Sequence, residues 1–375
     1  MLDLKRQYEP LHQELLEALS HVLETQQFIL GEQVAVFERQ AAQQLSVRHA
    51  VGCSSGTDAL WLALAAAQIG PGAAVITTPF SFFASVSAIL RAGARPILAD
   101  IDPATFNLDA KAVEAALNND GDVKAILPVH LYGQCADWGA FSRLGKERGL
   151  KLVEDAAQAW GAEWNGVKAG ALGDAAAFSF YPTKHLSAAG DAGMVTTNDA
   201  ELAERARMLR QHGMRRRYFH DEIGWNTRLD GFQGAVLQVK LKYIAGWNEA
   251  RRGVAQRYDA LFRAAGLAED GVYPVHGVVL PKEVPGSRHV WHQYVIRTVR
   301  RDELREFLSE RKIGSEIYYP VPLHLQDALK SLGYSQGDFP ESERAAREVL
   351  ALPIFPEITE DEQHTVVDAI AAFLS

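Results

Sequence analysis

The chain has 375 residues, which is enough for one large domain and a smaller second domain. Its net charge of −9 excludes the basic footprint that a nucleic-acid-binding protein presents. No run of about 18 apolar residues predicts a membrane span, and the N-terminus lacks the apolar core of a signal peptide. We therefore expect a soluble, cytoplasmic protein that binds neither nucleic acid nor a membrane.

The two cysteines, Cys53 and Cys135, each lie beside strand-like sequence. Neither has the neighbouring cysteines or histidines that a metal site requires. Two isolated cysteines fit reduced thiols better than a disulfide framework. We expect no metal centre in this chain.

Short apolar runs alternate with helix-length stretches between residue 49 and about residue 200. Seven runs predict strands: His49–Ser54, Ala74–Phe80, Arg95–Ile101, Lys124–Leu131, Leu150–Ala156, Ala175–Tyr181 and Gly193–Thr197. The stretches between them predict helices, which include Thr57–Gln68, Ser85–Ala92, Ala110–Asn118 and Trp138–Arg148. This alternation favours an α/β domain with a mostly parallel sheet and helices on both faces. Ligands in such sheets bind beyond the carboxyl ends of the strands.

The pattern changes after about residue 230 and predicts a second domain. Its predicted elements are a long helical stretch at Asp230–Ala265, a strand at His289–Arg297 and helices at Arg301–Arg311 and Glu360–Leu374. We place the boundary in the long helix near Gly246, which gives a large α/β domain at 1–245 and a smaller C-terminal α+β domain at 246–375. The N-terminal helical segment, about Leu11–Gln26, can pack against either domain.

A loop lysine and a strand-end aspartate give the strongest chemical signal. Lys184 follows about thirty residues after Asp155, which lies near the end of the fifth predicted strand. A lysine amine can form a Schiff base with the aldehyde of pyridoxal phosphate, and a buried carboxylate keeps the pyridine nitrogen protonated. A surface lysine and a helix-capping aspartate explain either residue alone, so the interpretation depends on the residues around them.

A phosphate site is predicted where the first strand meets the next helix. Gly56 and Thr57 open that helix, so backbone N–H groups and the Thr57 hydroxyl can meet a phosphate at the positive end of the helix dipole. An ordinary helix N-cap explains the same residues. Ser179 offers a second hydroxyl. Phe82 is our candidate for stacking on the pyridine ring, and Gln158 can approach the ring from its phenolic side.

Together these motifs resemble the sugar aminotransferases of the DegT/DnrJ/EryC1/StrS family. The likeness covers essentially the whole chain in the family's order and spacing. Its most specific stretches are Gly56-Thr57-Asp58-Ala59-Leu60, Glu154-Asp155-Ala156-Ala157-Gln158, Ser179-Phe180-Tyr181-Pro182-Thr183-Lys184 and Gly224-Trp225-Asn226-Thr227-Arg228-Leu229-Asp230.

The resemblance implies fold type I, the aspartate aminotransferase-like α/β fold, with a mostly parallel seven-stranded sheet. It also implies a homodimer whose active sites lie at the subunit interface. Lys184 then matches the Schiff-base lysine, and the cofactor ligands are Gly56, Thr57, Phe82, Asp155, Gln158, Ser179 and, from the other subunit, Asn226. The candidates for substrate binding are His185, Arg228, Tyr319 and His324.

The resemblance implies a pyridoxal-phosphate-dependent transfer of an amino group from L-glutamate to a nucleotide-linked keto sugar. The segments Val129–Gln134 and Arg210–Tyr218 look more like members that act on 3-keto sugars than members that act on 4-keto sugars, which stay the alternative. Lys184 argues against a sugar dehydratase of the same cofactor class. A nicotinamide-dependent dehydrogenase would need a Gly-x-Gly-x-x-Gly turn, which the first βα unit lacks. A non-catalytic regulator is the remaining rival.

The chain departs from the family pattern beside the lysine. His185 stands where members usually carry asparagine, and Ala192 stands where they usually carry glycine. His185 has three interpretations: a neutral spacer, a second proton carrier or a ligand for substrate phosphates, of which the spacer is the simplest. Ala192 only disfavours a positive φ at its position.

Overall fold

A seven-stranded sheet forms the centre of the structure, a computed structural model that describes residues 2–375. In chain order the strands are β1 (His49–Cys53), β2 (Ala74–Thr77), β3 (Arg95–Leu98), β4 (Val123–Ile126), β5 (Lys151–Asp155), β6 (Glu163–Trp164), β7 (Val167–Lys168), β8 (Ala175–Ser179), β9 (Gly193–Thr197), β10 (Met214–Arg216), β11 (Phe219–His220), β12 (Ala268–Glu269), β13 (Val278–Val279), β14 (Ser287–Arg288), β15 (Tyr294–Arg297) and β16 (Val349–Leu352). The central order is β1-β9-β8-β5-β4-β2-β3, and β9 alone runs antiparallel to its neighbours. The predicted seven-stranded, mostly parallel sheet is confirmed.

Helices cover both faces of this sheet. In chain order they are α1 (Leu4–Tyr8), α2 (His12–Thr25), α3 (Gly31–Leu45), α4 (Gly56–Ala66), α5 (Ala84–Arg91), α6 (Ala110–Asn119), α7 (Trp138–Arg148), α8 (Ala200–Leu209), α9 (Gly231–Leu241), α10 (Ile244–Ala264), α11 (Arg301–Glu310), α12 (Pro340–Glu348) and α13 (Glu360–Leu374). Helices α4, α5 and α8 share one apolar cluster with the sheet, whereas α3 and α9, and α6 and α7, form clusters with its other face.

The alternation of side chains along each strand decides which face a residue reaches. On β5, Val153 packs in the cluster of α4 and α5, and Leu152 packs with α6 and α7. Asp155 has the parity of Val153, so its side chain is directed towards α4 and α5. Ser179 shares the parity of Ala177 on β8, which packs in the same cluster. The carboxyl ends of β5 and β8 therefore present both polar side chains to one face.

The C-terminal part contains a four-stranded sheet of order β12-β13-β15-β16 together with α10 to α13. The predicted single helix at Asp230–Ala265 is wrong, because α9 ends at Leu241 and a tight turn precedes α10. The predicted strand at His289–Arg297 is also wrong over its first half. There the N–H groups of Val290 and Gln293 donate to the carbonyls of Gly133 and Tyr132 instead of a strand neighbour.

The N-terminal helices contact both parts of the chain. Arg6 on α1 forms a bidentate ion pair with Glu362 on α13, with N–O distances of 2.9 and 2.6 Å, and its guanidinium lies over the ring of Phe355. Helices α2 and α3 pack instead against α9. A single apolar core joins Phe106 and Tyr132 to Tyr258 of α10, so the boundary at 245/246 is not marked by a gap in packing and stays a prediction. Within residues 2–375, no helix is both long and apolar enough to cross a membrane.

Candidate active site

Lys184 and Asp155 lie at the carboxyl-end edge of the sheet. Asp155 ends β5, and Lys184 lies in the loop that follows the neighbouring parallel strand β8. The Lys184 N–H donates to the carbonyl of Tyr181 at 2.8 Å, which closes a tight turn. Each side chain contributes to the electrostatic environment of the other. The structure thus brings together the two residues on which the sequence interpretation depends.

Burial changes the proton affinity of both groups. The Lys184 amine is half-buried, and the loss of hydration lowers its pKa to about 8, although the negative charge of Asp155 acts in the opposite direction. A substantial fraction of this amine is therefore neutral near pH 8, and only the neutral amine is a nucleophile. Burial likewise raises the pKa of Asp155, which is 4% exposed.

Asp155 is held by two donors from its own side of the sheet. Ser85 on α5 donates its hydroxyl to Oδ2 at 2.7 Å, and the Ala157 N–H donates to Oδ1 at 3.2 Å. Both bonds favour the charged carboxylate and oppose the effect of burial on its pKa. A protonated pyridine nitrogen would supply the cationic donor that stabilises such a buried carboxylate further.

The predicted phosphate site lies at the N-terminus of α4. Ser55 caps this helix by accepting the Asp58 N–H at 3.1 Å. A Cβ atom on Gly56 would lie 2.5 Å from Cβ of Ser179, so only glycine lets β8 approach the helix this closely. Thr57 and Ser179 consequently flank the first N–H groups of the helix, which have no acceptors within the helix. The acidic group nearby, Asp58, is paired with Arg91.

Gln158 is oriented by a hydrogen bond from the backbone. The Tyr132 N–H donates to Oε1 of Gln158 at 2.7 Å, which leaves the amide nitrogen to donate to the Tyr319 hydroxyl at 3.2 Å. Burial and the charge of Asp155 raise the pKa of Tyr319, so it stays a neutral phenol at physiological pH. The ring centroid of Phe82 lies 6.4 Å from that of Tyr319. Phe82 is 60% exposed, so its ring is accessible to a stacking partner.

Other predicted site residues lie apart from this group or are enclosed. Asn226 is exposed, and its backbone pairs with Gln211 rather than with the phosphate site of its own chain. Arg228 is half-buried beside Cys53, with which its backbone forms a bridge. The structure gives neither residue a direct contact with Lys184, and their roles stay predictions.

Two predicted substrate ligands have no free surface in this chain. His324 is 2% exposed, its Nε2 lies 3.0 Å from Oε1 of Glu343, and its ring packs on Phe339. His185 is 3% exposed and packs on His292. Packing explains why the structure supports neither as a substrate contact: both imidazoles fill the interior instead of facing the site.

Sequence reasoning overlooked the support behind Asp155. Glu154 has the opposite strand parity and accepts the N–H groups of Gly170, Leu172 and Gly173 at 2.7 to 2.9 Å. Nε2 of His130 lies 3.0 Å from the same carboxylate, and Nδ1 of His130 accepts the Ala136 N–H, so His130 donates to Glu154. The adjacent acidic residues Glu154 and Asp155 were the sequence signal that could have indicated this arrangement. No signal in the sequence indicates Ser85, because its contact with Asp155 depends on how α5 packs. No cluster of three metal-ligating side chains occurs in residues 2–375.

The DegT/DnrJ/EryC1/StrS aminotransferase family matches residues 10–371 of this chain. The chain belongs to this family. It is 50% identical to the pleiotropic regulatory protein of Geobacillus stearothermophilus, over 100% of this chain and 98% of the relative. It is 41% identical to the UDP-N-acetyl-3-dehydro-alpha-D-glucosamine 3-aminotransferase of Acidithiobacillus ferrooxidans, over 96% and 94%. It is 42% identical to the dTDP-3-amino-3,4,6-trideoxy-alpha-D-glucose transaminase of Streptomyces venezuelae, over 98% and 94%.

Solved structures confirm the fold. The crystal structure of S. venezuelae DesV in complex with a ketimine intermediate matches with a TM-score of 0.94 and 42% identity, over 100% of this chain and 97% of that one. This DegT-family chain is thus an aminotransferase of fold type I, and the cofactor of its family is pyridoxal phosphate. The site fits that group, because it offers an amine, a buried carboxylate and a phosphate site that requires glycine, all at one edge of the sheet.

Proposed function

We propose that this enzyme transfers the amino group of L-glutamate to C3 of a nucleotide-linked 3-keto sugar. The placement of the Lys184 amine, with its pKa lowered to about 8, beside the buried Asp155 carboxylate carries the proposal. The position of the keto group is supported by the names of two relatives: the Acidithiobacillus name describes a 3-dehydro sugar, and the Streptomyces name describes a 3-amino sugar. A 4-keto sugar remains the alternative acceptor.

Each residue of the site has a defined task in this proposal. Pyridoxal phosphate supplies, when bound, an electron sink for the pair of electrons left on the α-carbon of the amino donor. Asp155 would hold a proton on the pyridine nitrogen, and Thr57, Ser179 and the first N–H groups of α4 would bind the phosphate. The Lys184 amine would remove the proton from the α-carbon of the amino donor and deliver it to the cofactor carbon that is bonded to the transferred nitrogen.

We further propose a homodimer in which each subunit completes the other's site. The segment from 218 to 226 exposes a run of large apolar side chains, among them Tyr218 at 76% and Ile223 at 89%. Exposure on this scale within a short segment is typical of an interaction surface. Asn226 lies at the end of the same segment and would reach the phosphate in the partner. Our candidate for binding the diphosphate of the sugar nucleotide is the exposed Arg215-Arg216-Arg217 cluster on the hairpin of β10 and β11.

The test is a two-stage assay with purified protein. Pyridoxal phosphate and L-glutamate are added first, and formation of 2-oxoglutarate is measured together with the change in cofactor absorbance. UDP- and dTDP-linked 3-keto and 4-keto sugars are then added separately, and the amino sugar products are identified. We expect amine transfer to a 3-keto sugar and no sustained turnover by Lys184→Ala.

Other outcomes assign other functions. Transfer to a 4-keto sugar alone would move the reaction to C4. Loss of water from the sugar without consumption of glutamate would indicate a dehydratase. No reaction with glutamate at all would favour a regulator, the role named for the Geobacillus relative.

A further inference from the structure

Two histidines are buried behind Lys184 with unpaired nitrogens. The rings of His185 and His292 lie 4.8 Å apart between centroids, and the side chains are 3% and 8% exposed. Nε2 of His185 and Nδ1 of His292 are both buried without a hydrogen-bond partner. Buried polar atoms in folded proteins nearly always have partners, so two unpaired nitrogens on adjacent rings call for one explanation.

Both rings are neutral in this environment. Burial lowers the pKa of each well below its ordinary value, and the positive charges of Arg251 and Lys184 act in the same direction, as does His289. A neutral imidazole has one donor nitrogen and one acceptor nitrogen. Two such rings can take complementary tautomers, in which one of the two unpaired nitrogens donates and the other accepts.

The segment that carries His292 is held rigidly. Arg251 on α10 donates from Nη1 to the carbonyls of Trp291, His292 and Ile354 at 3.3, 3.4 and 3.0 Å. A Cβ atom on Gly133, whose φ is +101°, would lie 3.0 Å from the backbone nitrogen of His292, so glycine permits the two segments to approach this closely. The neighbouring Gln293 N–H donates to the carbonyl of Tyr132, the residue whose N–H orients Gln158.

We propose that His185 and His292 form a donor–acceptor pair, bridged by one buried water, that positions the Lys184 amine relative to Gln158. The pair would connect the loop of Lys184 to the backbone of His292 and Gln293, which is hydrogen-bonded to Tyr132 and through it to the Gln158 amide. His185 and His292 are positioning residues and do not touch the substrate. The inference rests on the proposed function only in treating Lys184 as the reactive amine.

The test uses apoenzyme and an amine reagent, trinitrobenzenesulfonate, with modification of Lys184 measured against pH by peptide mass spectrometry. In the native protein we expect Lys184 to titrate near 8. In His185→Leu and His292→Leu the released loop hydrates the amine, so its pKa should move towards the ordinary value of 10.5, and labelling at pH 8 should fall several-fold. The double variant should be no worse than either single variant, because the pair acts as one unit.

Controls separate positioning from general damage. His276→Leu, at an exposed histidine, should leave the labelling profile unchanged. If His185→Leu does not fold, His185→Asn replaces it, since the amide oxygen retains an acceptor, and we expect a smaller shift. Nitrogen-15 NMR of labelled histidines should show two neutral, complementary tautomers at pH 7.

Three results would overturn the inference: an unchanged Lys184 titration in folded variants, additive shifts in the double variant, or a charged ring in either histidine at pH 7. None of these measurements requires cofactor or sugar. Failure of the aminotransferase assay would therefore leave them interpretable, and failure here would leave the proposed reaction intact.

Discussion

At the scale of single residues, the site depends on how burial changes proton affinity. The pKa values of Lys184 and Asp155 are shifted towards each other: the amine loses its proton more readily than in water, and the carboxyl less readily. Such opposed shifts are typical of groups that exchange protons with a substrate. They arise here from desolvation, and Ser85 limits the effect on Asp155.

The Lys184 pKa predicts how cofactor capture depends on pH. The neutral amine is the reactive form, so the rate at which apoenzyme takes up pyridoxal phosphate should rise about tenfold per pH unit below 8 and level off above it. Stopped-flow absorbance measures this rate. A profile that continued to rise to pH 10 would mean that the amine has an ordinary lysine pKa and is fully hydrated.

Gly56→Ala tests the phosphate site without removing a polar group. The new Cβ would lie 2.5 Å from Ser179 Cβ, so β8 or α4 must shift. We expect a loss of about 1–3 kcal/mol of stability and clearly weaker cofactor binding, measured by thermal denaturation and by titration with pyridoxal phosphate. Gly246→Ala is the matched control, because its Cβ would meet nothing within 4 Å on α10. Equal effects of the two changes would contradict the close packing at Gly56.

At the scale of secondary structure, alternation along β5 divides two acidic neighbours between two tasks. Asp155 accepts a hydrogen bond from Ser85 on α5, whereas Glu154 faces the turn at residues 170–173 and accepts three of its N–H groups together with a hydrogen bond from His130. In our proposal Asp155 serves the chemistry, and Glu154 stabilises the strand that carries it.

Glu154→Gln should therefore destabilise the protein more than it alters the chemistry. The NH₂ group of the new amide would face N–H groups that now donate to the carboxylate. The free energy of unfolding should therefore fall by about 2–4 kcal/mol. Chemical denaturation of the apoenzyme measures it. Glu147→Gln, which breaks an exposed ion pair with Arg143, should change stability by less than about 0.5 kcal/mol. A similar small effect at Glu154 would mean that the turn does not depend on this residue.

The strands and loops that carry the candidate site could be predicted from the sequence, but the side chains that hold them in place could not. The carboxyl ends of parallel strands lie at one edge of a sheet, which predicts Lys184 and Asp155 at the same edge, and the family motifs add Thr57 and Ser179. Ser85 and His292 could not be predicted, because their roles depend on the packing of distant elements. The burial of His324 could not be predicted for the same reason: its motif is close in sequence to Tyr319, yet its ring is enclosed with Glu343.

At the scale of the whole molecule, sharing of sites between subunits can be tested by complementation. Lys184→Ala and Asn226→Asp chains should each be impaired alone. If each site takes Lys184 from one subunit and Asn226 from the other, a mixed dimer has one native site, and random reassociation should restore about one quarter of native activity. The measurement is specific activity after mixed refolding. No recovery in dimers that form would show that both residues act within one chain.

The contact between Arg6 and Glu362 links the first and last helices of the described chain. Helix α13 cannot open without breaking this contact, and α1 is a short helix of five residues. Removal of residues 1–8 should therefore raise the hydrogen-exchange rate of α13, more than 300 residues away in sequence, while the central sheet keeps its protection. Unchanged exchange in α13 would show that the two helices open independently. If the contact stabilises both helices, a truncation at the N-terminus lowers the local stability of the C-terminal helix.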